Sequence, residues 1–359
     1  MASFLVTAPE GESTFVYLYN LLLLTLIAFL NRSFPSSLNK NVLVFSFVLL
    51  SAYAIRISTD SLFQFINLAI VVLVSILFVN LLRKQKSLII ASINIALLFN
   101  VSVFFIQFLV WVTFGSIIDF YGYIMPWEVV GYSVYEDIGL FRATGIHNEP
   151  GTYATVITIL TFWYIILAPT KLVTPVLAMS TVALTSSGTG IVFSGLFFSL
   201  LFVNFLQNKK GVLKNIILIS IICLLGYLVL FLTPIGEYLY WRFISGDVDH
   251  SSGTVGLKYD AMRFLVESTE SRQLLGSGSF LNDCLYCKSI NDTGLIFNII
   301  FQLGLVGFVL LAYLIYKTIT LQVFSIGLVV VVLLSKLPIS SPVIIISLFI
   351  LCFKKYEST

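Results

Sequence analysis

The residues of this chain that can do chemistry gather in two stretches. The first reads Arg142-Ala-Thr-Gly-Ile-His147-Asn148-Glu149-Pro150-Gly151. Arg142 offers a planar fork of donors suited to phosphate. His147 and Glu149 are each able to serve as a general base. The same run also reads as a solvated turn broken by Pro150 and two glycines. The second stretch holds Arg242, His250, Asp260, Arg263, Glu267, Arg272, Asp283, Lys288 and Asp292. Within it, Leu257, Ala261, Phe264 and Leu265 have the spacing of an amphipathic helix over 257–269. Asp260, Arg263 and Glu267 fall on its opposite face, three and four residues apart. Ordinary ion pairs on a wet surface fit that pattern, and so does an Arg263 turned into a cavity. Gly276-Ser-Gly278-Ser follows, a tight loop whose backbone N–H groups could approach an anion.

Arginines close to lipid suit one kind of reaction in particular. A pyrophosphate leaves well only if its negative charge is stabilised as the bond breaks, and arginines supply that without a metal. No His, Asp or Glu cluster has convincing metal-ligand spacing, so neither metal nor cofactor is expected. Cys284-Leu-Tyr-Cys287 lacks further zinc ligands and a thioredoxin-like context, so a local disulfide outside the membrane is the expected state. Cys223 and Cys352 lie in apolar runs and read as buried hydrophobes. Thr185-Ser-Ser-Gly-Thr-Gly190 reads as a close-packing turn, with hydroxyls facing a sugar cavity as the alternative.

The elements that must position these groups are membrane helices. Of 359 residues, 58% are hydrophobic and only 10% charged, and the mean hydropathy is +1.03. A soluble chain keeps about a quarter of its residues charged. The net charge of +3 gives no support for a nucleic-acid partner. Eleven apolar runs qualify as spans: Phe15–Leu30, Val42–Ile55, Leu62–Leu82, Leu88–Leu109, Tyr153–Ala168, Leu172–Leu184, Ile191–Leu206, Ile216–Leu232, Leu295–Tyr316, Ile319–Leu334 and Val343–Phe353. The fourth run stays apolar to Ile118, which leaves its exit open. Runs of this kind are not the alternating strands of a membrane barrel. The expected fold is therefore all-α, a polytopic transmembrane bundle of about 11 spans forming a single membrane domain over 1–359.

Charge sets the expected orientation. With eleven spans, Arg32, Lys40, Arg83, Lys84, Lys86, Lys171, Lys209, Lys210, Lys214, Lys317, Lys354 and Lys355 share one side, the cytoplasm. Every Asp and Glu but Glu357 falls on the other. The N-terminus, acidic and without basic residues, carries no signal-peptide pattern, so the first run is expected as a retained span. Two larger outer loops result: 119–151, and 235–292 with its short amphipathic helix.

Those residues carry a resemblance. Many spans, Arg142-x-x-Gly145-x-x-x-x-Pro150, a long outer loop bearing arginines, Gly276-x-Gly278, and a span reading Asp292-x-x-x-x-x-Asn298…Gly304-Leu-Val-Gly307 resemble the Wzy-type O-antigen polymerases and the related O-antigen ligases. The likeness covers about 119–316 and is one of layout and sparse motifs. It implies a GT-C-like polymerase/ligase architecture in a bacterial inner membrane, with the active site facing the periplasm. The substrate would be an oligosaccharide on undecaprenyl pyrophosphate, the growing glycan passing from its carrier to the non-reducing end of an incoming unit. A flippase and a chain-length regulator of the same pathway would be partners, beside the lipid bilayer itself. Arg142, Arg242, Arg263 and Arg272, with Gly276 and Gly278, would hold the pyrophosphate. His147, Glu149 and Asp292 compete as base. Asn291-Asp292 stands where ligase-like members place a His, which favours polymerase over ligase. Gly188 stands where members often carry an Arg. A flippase of lipid-linked sugars is the reading from another class. Such a transporter places polar groups within its spans, and here the charges gather outside them.

Overall fold

The computed structural model describes residues 62–124, 141–207, 294–318, 322–337 and 341–358, with part of 44–54 and of 263–276. All regular structure among the described residues is helical. In chain order the helices are α1 (Leu62–Lys84), α2 (Lys86–Phe114), α3 (Phe120–Ile124), α4 (Pro150–Leu167), α5 (Val173–Leu184), α6 (Gly188–Gln207), α7 (Glu270–Leu275), α8 (Leu295–Thr318), α9 (Val323–Leu334) and α10 (Pro342–Ser358). Five of them, α1, α2, α4, α6 and α8, are long and apolar enough to cross a membrane. The chain is a helical membrane protein. Eight of the eleven expected runs coincide with helices; Phe15–Leu30 and Ile216–Leu232 lie outside the described residues, and Val42–Ile55 is described only in part.

The reason these helices suit lipid is visible on α2. Ile93, Leu97, Asn100, Phe104 and Gln107 are fully buried and recur every three or four residues, so one seam of the helix packs inward. Ile95, Phe99, Ile106, Leu109 and Val112 are exposed on the rest. Apolar groups face out and amides face in. In water such an outer surface would aggregate; against lipid tails it costs nothing, and the inward amides find partners within the protein. The helix has 29 residues, a length of about 43 Å, more than the roughly 30 Å of a hydrocarbon core. It ends at Gly115, which takes a left-handed conformation (φ 65°) and donates its N–H to the Trp111 carbonyl at 2.9 Å. Between α1 and α2 stands Gln85 alone, so Arg83, Lys84 and Lys86 lie within one turn of each other.

The chain divides into two compact units: 1–96, 162–171 and 257–359 in one, 97–161 and 172–256 in the other. In the first, α1 packs along α10, α7 packs on α8, and α8, α9 and α10 pack together. Leu68, Val71, Phe78, Leu82, Ile344, Ile345, Phe349 and Ile350 form its core. Trp163 donates from its indole to the Ser347 hydroxyl at 2.9 Å and lies 5.9 Å from the Phe78 ring. Helix α8 is broken at Gly304 (φ 66°, ψ −167°). Gly276 (φ 77°) lies against that break. A β-carbon on Gly276 would collide with the Gln302 carbonyl, and one on Gly304 with the Leu274 carbonyl and the Gly276 nitrogen. Two backbones meet there at a distance only glycine permits.

In the second unit, α5 packs on α6 across a built turn. Ser187 caps α6: its hydroxyl accepts the Gly190 N–H at 2.9 Å, three residues into the helix. Thr185 and Ser187 hydroxyls lie 3.1 Å apart, and Ser186 takes φ 53°. Thr185, Ser186 and Ser187 are buried, the hydroxyls of Thr185 and Ser187 bond within the turn, and Gly190 leaves no room for a β-carbon beside Thr185 and Val182, in keeping with the packing reading of this run.

Candidate functional site

Residues 141–149 form a folded loop at the mouth of α4. Phe141 anchors it by stacking on Trp111, with ring centroids 5.3 Å apart. Thr144 to His147 make a tight turn in which the His147 N–H donates to the Thr144 carbonyl at 3.1 Å. Gly145 has φ 60°, a backbone conformation that glycine adopts without strain. A β-carbon on Gly145 would also press to 3.1 Å from the Tyr153 ring. Pro150 then opens α4, its fixed φ and missing N–H costing nothing at the first helical position.

The polar anchor comes from α2. Gln107 Oε1 accepts the N–H groups of Thr144 at 2.8 Å and Gly145 at 3.0 Å. Its Nε2 donates to the Ile118 carbonyl at 2.8 Å. One buried amide thus ties together the two ends of the segment 119–143. Sequence reasoning passed over Gln107. The available signal was an amide inside an apolar run, one of three with Asn94 and Asn100, where a polar group demands a partner.

Arg142, His147 and Glu149 all stand on this loop. Arg142 is half-buried with its Nε fully covered. His147 is completely buried, its ring edge-on to Tyr153 at 5.6 Å between centroids. Burial lowers its pKa from 6.5 to about 3, so the imidazole is neutral at ordinary pH. Neither ring nitrogen has a hydrogen-bond partner among the described residues. A base works best with a pKa near the operating pH and with access to its proton; buried as it is, His147 has neither. Tyr153 bonds through its hydroxyl to Thr181 at 2.7 Å and so links α4 to α5. Glu149 precedes Pro150, its carbonyl accepting the Tyr153 N–H at 3.1 Å and its Oε1 accepting the Thr152 hydroxyl at 3.0 Å. An acidic side chain there is favoured by the positive end of the helix.

The second stretch is different in kind. Arg263 is exposed, and its Nε pairs with Glu267 Oε1 at 2.7 Å, both side chains more than three-fifths exposed. That is the ordinary ion pair the spacing allows. Gly276 is buried against the broken α8, so its need for glycine is met by backbone packing. Arg272 belongs to α7, but its side chain, like Arg242, Gly278, Asp292 and the Cys284–Cys287 pair, lies outside the described residues. Asn100, in one of three sequons (Asn31 and Asn291 begin the others), is buried in α2 and no acceptor for a glycan.

No family model, curated protein or solved structure matches this chain.

Proposed function

We propose that this chain is an O-antigen-type polymerase acting on oligosaccharides linked to undecaprenyl pyrophosphate at the outer face of a bacterial inner membrane, in an eleven-span, GT-C-like bundle. The acceptor sugar hydroxyl attacks the anomeric carbon of the growing chain. A new glycosidic bond forms, the bond from that carbon to pyrophosphate breaks, the hydroxyl proton passes to a base, and the carrier leaves as undecaprenyl pyrophosphate. Arg142 is the fixed arm of the clamp on that leaving group. Arg263 is a second candidate arm, exposed beside Glu267, and Arg242 and Arg272 are further candidates. Glu149, Asp292 and His147 are the candidate bases, and the burial of His147 counts against it.

One observation carries this reading. The described spans bear charge only at their ends, Arg83, Lys84, Lys86, Lys317, Lys354, Lys355 and Glu357, while Arg142, His147 and Glu149 crowd into one ordered loop at the mouth of α4. Charge at a mouth suits chemistry at one face; passage through the centre would want it within the spans. A second reading, a flippase, draws on the break in α8, since transporters build sites from interrupted helices. Here the backbone of Leu274 and Gly276 fills the space beside the break.

The test is purified protein in vesicles with a synthetic lipid-linked repeat unit. Longer lipid-linked glycans with released undecaprenyl pyrophosphate support polymerisation. Movement of the unit across the bilayer with no new linkage would replace it with the flippase reading.

A further inference from the structure

We propose that Gln107 is the positioning residue of this site: a latch, set in a membrane helix, that holds the Arg142–His147 loop in its working shape. The inference rests on the polymerase reading for its kinetic consequence but not for its geometry. Gln107 is fully buried, and its side-chain amide serves three backbone groups at once. Two of these are the N–H groups of the consecutive residues Thr144 and Gly145, which one oxygen accepts together at the entry to the turn. The third, the Ile118 carbonyl, belongs to the other end of the segment. An amide is the one side chain of this size that offers an acceptor and a donor in fixed relation. Leucine offers neither. Glutamate keeps the acceptor and, when ionised, loses the donor. The turn so held starts two residues after Arg142 and ends at His147, so its release moves both. Gln107 acts through the backbone of the turn.

Diethyl pyrocarbonate, which modifies accessible neutral imidazole, reads the latch directly when applied to the full chain in detergent and scored by mass spectrometry at residue 147. The latch requires His147 to react slowly in the unaltered protein, at least tenfold faster in Gln107→Leu, and at an intermediate rate in Gln107→Glu. Equal rates in all three, at matched helix content, would overturn it, as would rapid reaction in the unaltered protein. If Gln107→Leu does not fold, Gln107→Glu, which matches the native shape, carries the comparison. The kinetic arm measures KM for the lipid-linked unit, which does not depend on how much protein is active. Displacing the loop that carries Arg142 raises KM about tenfold in Gln107→Leu, less in Gln107→Glu. An unchanged KM beside a raised His147 reactivity would remove Gln107 from the positioning of Arg142. If the unaltered protein makes no polymer, the functional reading falls while the reactivity comparison still decides the latch.

Discussion

Arg142 and Arg263 look alike in the sequence, each an arginine beside acidic groups in an outer polar stretch. Their surroundings differ. Arg142 follows Phe141, which stacks on Trp111, and precedes a turn fastened by Gln107. Arg263 stands on a wet helical turn with Glu267 as a neighbour. A guanidinium held in place before substrate arrives costs little reorganisation when charge develops, whereas one that must leave an ion pair and be ordered pays that cost each time. Burial and fastening, rather than residue type, separate the two.

The largest expected effect breaks or makes that distinction. Removing a fixed donor aimed at developing charge costs about 3 kcal/mol, on the order of a hundredfold in rate. Arg142→Ala is expected to abolish ladder formation in cells lacking the native gene, at normal membrane abundance. Arg142→Lys recovers only part, since an ammonium loses the two-pronged geometry. Arg263→Ala is expected to shorten the ladder without ending it. The reverse order, with Arg263→Ala the more severe, would sink the assignment of fixed and exposed arms.

Next come the two glycines that give the Arg263 region its firm end. Alanine at Gly276 or Gly304 meets a left-handed backbone, about 1–2 kcal/mol, and a neighbouring main chain with no room, about 1–3 kcal/mol more. Each of Gly276→Ala and Gly304→Ala should lower the melting temperature in detergent and the yield of monodisperse protein. The two together should cost less than the sum, because they spoil one contact. Full additivity would mean that the two backbones do not meet in the working protein.

What the sequence makes legible follows from how far apart the cooperating residues lie. The spans of α1, α4 and α8 are local properties of composition, and the apolar runs mark them within a few residues. The end of α2 is less plain, because the apolar run continues to Ile118 while the stop is a single glycine at 115. The chemistry-bearing loop is visible as Arg142, His147 and Glu149, close in sequence. Gln107 is not, since its partners lie 37 and 38 residues on and nothing local separates it from the other amides of α2, Asn94 and Asn100. Gly276 and Gly304 each show as motif glycines, but their meeting is a tertiary fact. The burial of His147 is likewise invisible: Thr144, Asn148 and Glu149 around it look like a solvated turn.

That burial gives a pH signature confined to the Arg142 region. The unfolded chain takes up the His147 proton near pH 6.5, and the folded chain only near pH 3. Between these values the unfolded state binds more protons, so stability is fully present above about pH 6.5 and falls as pH drops toward 3. The loss at pH 5.5 is on the order of 1 kcal/mol. Melting curves in detergent between pH 7.5 and 5 should show it, and His147→Leu should flatten the profile over that range. An unaltered slope in His147→Leu would place the acid-sensitive group elsewhere.

The smallest effect belongs to the other region and sharpens the contrast from below. Arg263 and Glu267 are paired at 2.7 Å, one helical turn apart, yet each is mostly in water. Solvent screens their attraction, and holding two long side chains in one geometry costs entropy. Pairs of this kind contribute about 0.5 kcal/mol or less. Glu267→Gln should therefore leave the melting temperature within about a degree of the unaltered protein, and a double-mutant cycle with Arg263→Gln should give a coupling no larger than that of ordinary surface pairs. Polymer output should hold or rise, because the exposed arm no longer has a partner to leave. A coupling of about 2 kcal/mol or more would mean that the pair is covered in the working protein. Arg263 would then be as firmly held as Arg142, and the contrast between the two regions would disappear.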